Sequence, residues 1–113
     1  MYDIHWDQAA RDDMRRLKLR TREVGRIIDA VEEQLTHQAE RPSKRKKLIR
    51  PGERLPFEHA EAVWQLRVAE FRVFYDVSQP AGEEVGQAEE VVSVVRIRAV
   101  RRKPPHRTTR EIL

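Results

Sequence analysis

The sequence predicts an α+β domain, with two N-terminal helices packed on one face of a mostly antiparallel, roughly four-stranded sheet, in the order β-α-α-β-β-β. Three observations predict it. Residues 64–77 form two runs with apolar side chains at every second position: Trp64, Leu66 and Val68, then Phe71, Val73, Tyr75 and Val77. A third apolar run follows at 91–100. Ahead of the strands, Val24, Ile27, Ile28, Val31 and Leu35 recur at the i, i+3, i+4, i+7 spacing of a helix buried along one stripe. Helices gathered on one side of a run of strands pack as a layer on an antiparallel sheet.

Each element has a local reason. Tyr2-Asp3-Ile4-His5-Trp6 alternates and opens the chain as a strand, and Asp7 is an N-cap for a helix over about residues 8–18, with Ala10, Met14 and Leu17 on one side. Thr21 caps a second helix over about 22–38. Residues 41–61 contain Pro42, Pro51, Gly52 and Pro56 and read as an irregular loop carrying Lys44-Arg45-Lys46-Lys47. A tight reversal at Ala69-Glu70 pairs position 67 with 72, 66 with 73 and 64 with 75. An acidic connection at 78–90 leads to the last strand and then to a basic tail, where Thr108 or Thr109 caps a final turn. With no repeat and no dividing linker, residues 1–113 make a single domain.

Composition narrows the function. There is no cysteine, hence no disulfide, thiolate metal site or cysteine nucleophile. No histidine pair has metal-ligand spacing, so neither a metal nor a cofactor is expected. No apolar stretch approaches the roughly 18 residues of a membrane span, and the N-terminus lacks a signal-peptide core, which fits a cytoplasmic protein. Lysine and arginine number 23 against 19 acids, for a net charge of +4. The distribution matters more: residues 41–54 and 96–110 are densely basic, with Glu53 their lone acid, while residues 7–40 are near neutral. Charge segregated in this way suits a nucleic acid or an acidic protein partner.

The strand pattern gives the basic residues a surface. If the large apolar side chains face the helices, Arg67 and Arg72 stand directly opposite each other on the other face, an arrangement that costs roughly 0.2–1 kcal/mol. Arg96 and Arg98 alternate with apolar positions 95, 97 and 99, and so join that face, followed by Arg101, Arg102 and Lys103. Arginine donates two parallel hydrogen bonds to phosphate and stays charged. Phe74 shares the arginine face by parity, where its ring either stacks on a base or is covered by the tail. Trp64 and Tyr75 belong to the core.

The succession Trp64-x-Leu66-Arg67-Val68, then Phe71-Arg72-Val73-Phe74-Tyr75, after two helices and a basic loop, resembles the RelE/ParE superfamily of toxins from type II toxin–antitoxin modules. The resemblance covers nearly the whole chain and implies a fold like that of small microbial ribonucleases. It implies one of two activities. The RelE branch cuts mRNA, often on the ribosome; the ParE branch poisons DNA gyrase. In both, a cognate antitoxin wraps the toxin. The resemblance also assigns residues: Arg72 matches the arginine that contacts the scissile phosphate, Arg67 falls where some members have a catalytic lysine, and Gln65 replaces a second lysine. Arg102 lies near the arginine that follows the last strand. No tyrosine follows Tyr75, and His106 is the titratable residue in that part of the chain.

The resulting expectation is an mRNA endoribonuclease that inhibits translation, with or without the ribosome, by metal-independent attack of the 2′-hydroxyl on the adjacent phosphate. Arg67, Arg72 and Arg102 would stabilise charge on the phosphate, and His106, with a reference pKa near 6.5, would exchange the proton. Lys44, Arg45, Lys46, Lys47, Arg96, Arg98, Arg101, Lys103 and Phe74 would hold the RNA. The alternatives are a ParE-like gyrase inhibitor without nuclease chemistry, and a basic binding protein without activity.

Overall fold

A computed structural model describes residues 2–49, 55–57, 62–78, 93–103 and 112. The elements are β1 (Tyr2–Trp6), α1 (Gln8–Arg16), α2 (Thr21–Leu35), β2 (Lys46–Leu48), β3 (Trp64–Val68), β4 (Phe71–Ser78) and β5 (Ser93–Arg102). The strands form one sheet in the order β1-β5-β4-β3-β2. The class is the α+β layer that the sequence predicts, but the sheet has five strands and is mixed. β1 pairs parallel with β5, and the basic loop supplies β2, which pairs antiparallel with β3 (Lys46↔Leu66, Leu48↔Trp64). Three residues without a proline suffice for that short edge strand because β3 offers a ready row of backbone partners.

The hairpin has the expected register, with Arg67 opposite Arg72 and Leu66 opposite Val73. Its two-residue turn places Ala69 at φ 52°, a conformation that glycine adopts more easily. Between β4 and β5 the ladder slips: Phe74 faces Ala99, whereas Tyr75 faces Ile97, leaving Arg98 as the extra residue of a bulge. The slip inverts side-chain parity along β5. Val95, Ile97 and Val100 face the helices, while Ala99 turns to the other side.

The main core lies between the helices and the sheet. It joins Ala10 of α1 and Ile27, Val31 and Leu35 of α2 to Leu66, Val68, Phe71, Val73 and Tyr75. The Trp64 and Tyr75 rings stack at 6.4 Å, and the Tyr75 hydroxyl donates to the Ala39 carbonyl at 2.6 Å. Burial, with smaller contributions from Glu40 and Tyr2, pushes the Tyr75 hydroxyl above its ordinary pKa, so it remains a donor. At the start of α2 the Arg20 amide donates to Glu23 Oε1 at 3.0 Å, so Arg20 occupies the cap position expected of Thr21.

A smaller cluster covers part of the opposite face. Val63, Phe74 and Ala99 are buried there beneath Ile49, Leu55 and Phe57, with the Phe57 and Phe74 rings 5.6 Å apart. The arginine face is therefore open only in part. The acidic connection and the tail with His106, Thr108 and Thr109 lie outside the described residues.

Candidate functional site

Beside the hairpin, on the open part of that face, a cleft of about 280 Å³ is lined by Ser43, Lys44, Arg45, Lys46, Lys47, Gln65, Arg67, Arg72 and Lys103. Strand geometry builds it. Lys47 pairs with Gln65 across β2 and β3, and Arg67 pairs with Arg72 across β3 and β4. Arg45 continues the second row: the Arg67 amide donates to its carbonyl at 2.7 Å, and its own Nε donates to the Arg67 carbonyl at 3.2 Å. The Ser43 hydroxyl accepts from the amides of Arg45 and Lys46, both at 3.2 Å, which shapes the approach to β2. Lys103 is brought in where its amide donates to the Glu70 carbonyl of the hairpin turn.

Among the described residues no acid lines this cleft. Arg72 is buried, and its Nη1 donates to the carbonyls of Ala69 at 2.9 Å and Phe71 at 2.8 Å. Burial, then the facing Arg67 charge, lowers the Arg72 pKa from its ordinary value. Among the described residues no ion pair reaches Lys44, Arg45, Lys47, Arg67, Arg72 or Lys103. Such a surface has the charge and donors that suit an anion. Among the described residues its lining includes no histidine, carboxylate or tyrosine to exchange a proton near neutrality.

Lys46 lines the cleft but turns its ammonium away from it, and the β5 arginines lie elsewhere. Lys46 is buried with its ammonium turned under the helix layer, donating to the carbonyls of Gln34 at 3.2 Å and Gln38 at 2.6 Å. It satisfies the C-terminal end of α2 and is no surface contact for RNA, because strand parity points it at the core side. Burial, then Arg41, lowers its pKa.

The bulge carries Arg98 into a buried cluster. Its Nε donates to Asp76 Oδ2 at 2.9 Å and its Nη1 to Asp7 Oδ2 at 2.7 Å. Burial alone would lower the Arg98 pKa; the bonds to Asp76 and Asp7, together with their charges, outweigh it and raise the value. Asp7 thus stands at the N-cap position of α1 but spends its carboxylate on Arg98, making no side-chain cap bond. Arg96 is exposed at a second cleft, beside Asp7 and Gln8.

Arg101 is engaged by Asp13, which also accepts the Val100 amide. Arg102 lies 5.2 Å over the Phe71 ring, with Glu70 at 3.4 Å and Glu23 at 3.9 Å. Arg101 stands opposite Arg72 in the β4–β5 register, but its guanidinium is spent on Asp13, and Arg102 lies over Phe71, so neither adds an unpaired cation to Arg67 and Arg72, contrary to the expected single arginine surface. Phe74 has no exposed area and offers no ring to a base, since residues 55–57 and Val63 cover it. His106 lies outside the described residues.

The cleft also contains two residues that charge alone does not flag, Ser43 and Gln65. Gln65 shares the parity of Arg67 and stands where the family resemblance places a second lysine, and Ser43 directly precedes the basic cluster. The acids that hold the β5 arginines gave a fainter one, since Asp76 has the same parity as Arg72 and Phe74.

A sequence model described as the ParE toxin of type II toxin–antitoxin systems, parDE, matches residues 4–104. The chain belongs to this family. It is a toxin of a toxin–antitoxin module, and its family implies a cognate antitoxin as partner. No curated protein and no solved structure matches the chain. Among the described residues of the toxin, no group of three histidines or carboxylates could hold a metal ion, and no helix is long and apolar enough to cross a membrane.

Proposed function

We propose that this toxin works by binding, with the cation-lined cleft as its working surface and DNA gyrase engaged on DNA as its target. The observation that carries the reading is the cleft lining: among the described residues it holds lysines and arginines without acid partners, and no group suited to proton exchange near neutrality. Arginine does not deprotonate in proteins, so Arg67 and Arg72 stabilise anionic charge but cannot act as base. The ParE family match supports the same branch. Both gyrase and mRNA are cytoplasmic, so that location belongs to the proposal. The test is supercoiling of relaxed plasmid by gyrase with added toxin, beside mRNA with and without ribosomes. Inhibited supercoiling with intact RNA is expected; cleaved RNA with unaffected gyrase contradicts it.

One observation favours a second reading, the metal-independent endoribonuclease. Arg67 and Arg72 share a cleft with Lys103, and His106 follows three positions later in sequence. In that case His106→Gln slows single-turnover cleavage by about 10²–10⁴-fold, and the wild-type rate varies with pH near the histidine's titration. A variant that cuts within a few-fold of wild type rules out His106 as the proton carrier.

A further inference from the structure

We infer that the cleft grips the sugar–phosphate backbone of duplex DNA directly, so that the toxin binds DNA without gyrase present. The inference rests on the gyrase-directed reading and deepens it: gyrase holds DNA as its substrate, and a phosphate-binding cleft on its inhibitor meets that DNA.

Three features favour nucleic acid over an acidic protein. The first is spacing. Arg45, Arg67 and Arg72 lie in one row across neighbouring chain segments, and Lys47 lies on the next row along β2. Strands are about 4.8 Å apart, and alternate residues on one face about 6.6 Å apart, so the grid presents charge at the intervals of a phosphate chain. The second is lining chemistry. Every described lining residue is lysine, arginine, serine or glutamine, whereas protein–protein interfaces bury an apolar centre, and DNA interfaces are polar and strongly positive. The third is arginine geometry. Both bonds of Arg72 come from Nη1, so the guanidinium is fixed in place; among the described residues Nε and Nη2 make no hydrogen bond. A phosphate bound there also relieves the opposition of Arg67 and Arg72, which the free protein carries without compensation.

The cleft offers backbone contacts and no element that enters a groove, so the expected binding is insensitive to sequence and strongly dependent on salt. With Lys47, Arg67, Arg72 and Lys103 each neutralising one phosphate, log K should fall against log salt with a slope of about −3.6. Between roughly 50 and 200 mM salt, that slope amounts to about a 100-fold loss of affinity.

The experiment is fluorescence anisotropy of the full-length toxin, freed of antitoxin, with a labelled DNA duplex over a salt series. An RNA of the same sequence and polyglutamate serve as competitors. Lys47→Ala and Arg67→Ala alter exposed side chains; each should weaken DNA binding several-fold and reduce the slope by about 1. Arg96→Ala, exposed but outside the cleft, should leave both unchanged. No DNA binding at roughly 50 mM salt overturns the inference, as does RNA binding more than about tenfold tighter than DNA. Displacement by polyglutamate at equal charge concentration overturns it in favour of an acidic protein. Supercoiling assays on the same preparation separate the two proposals. Inhibition without DNA binding removes the inference and leaves the gyrase reading; DNA binding without inhibition supports the inference and removes the gyrase reading.

Discussion

Two groups of basic residues sit on one sheet and are treated in opposite ways. Along β5, Arg98 lies between Asp7 and Asp76, Arg101 on Asp13, and Arg102 beside Glu23 and Glu70. Across β2, β3 and β4, the cleft cations face one another with no acid among the described lining residues. A paired arginine couples elements: Arg98 ties the start of α1 to β4, and Arg101 ties α1 to the end of β5. An unpaired cluster opposes itself and contributes nothing comparable to stability. The difference separates cations that hold the fold together from cations without an acid partner among the described residues, which the proposed function assigns to an anion.

The sharpest way to break this comparison is Asp76→Ala. Asp76 is fully buried, and its loss leaves Arg98 in a low-dielectric site with Asp7 alone. Removing one partner of a buried pair costs about 3–5 kcal/mol, so urea unfolding should show a stability loss of that order. A loss under about 1 kcal/mol would mean that the pair is not structural.

Lys46→Met comes next and tests the one lysine of the basic loop assigned to the fold. Loss of its bonds to the Gln34 and Gln38 carbonyls should cost about 1.5–3 kcal/mol. The sign with pH is distinctive. Burial lowers the folded-state pKa below the ordinary 10.5, so between those values the unfolded chain binds more protons. Wild type should therefore gain stability relative to Lys46→Met as pH rises through the window just below 10.5. A pH-independent difference between the two would contradict the burial of the ammonium.

Arg67→Ala should act in the reverse direction. It removes an exposed charge placed opposite Arg72, so stability should stay level or rise by about 0.2–1 kcal/mol while toxicity falls. A marked loss of stability would place Arg67 with the β5 arginines. The smallest effect concerns the turn that holds Arg72. Ala69→Gly relieves the left-handed conformation and keeps the carbonyl that accepts from Arg72, so thermal unfolding should shift upward by the equivalent of about 0.5–1 kcal/mol.

How much of this was legible in the sequence depended on which contacts decide each residue. Arg67 facing Arg72 was legible because a period of two and a two-residue reversal fix the register locally. The faces of β5 were not, since one inserted residue at Arg98 inverts the parity and nothing in Val94-Val95-Arg96-Ile97-Arg98-Ala99 marks where the ladder slips. Lys46 resembles its neighbours in charge; only the carbonyls of Gln34, in the last turn of α2, and Gln38, just beyond it, distinguish it, and the helix ends at Leu35 with its apolar stripe, three residues before the expected boundary. Phe74 was assigned correctly to its face, but Leu55 and Phe57, set among prolines, gave little sign that the loop folds back over it. Long-range pairing of acids with arginines escaped for the same reason, since Asp7 and Asp13 are far from β5 in sequence.

The most direct test sets the two groups against each other in one gyrase supercoiling assay. Wild-type toxin is compared with a cleft variant, Lys47→Ala with Arg67→Ala, and a β5 variant, Arg101→Ala with Arg102→Ala, each checked for folding by circular dichroism. The expected result is that the cleft variant needs about tenfold more protein or greater to inhibit, while the β5 variant inhibits within about twofold of wild type. A folded cleft variant that inhibits like wild type, or a folded β5 variant that loses inhibition equally, would contradict the assignment of the toxin's work to its unpaired cations.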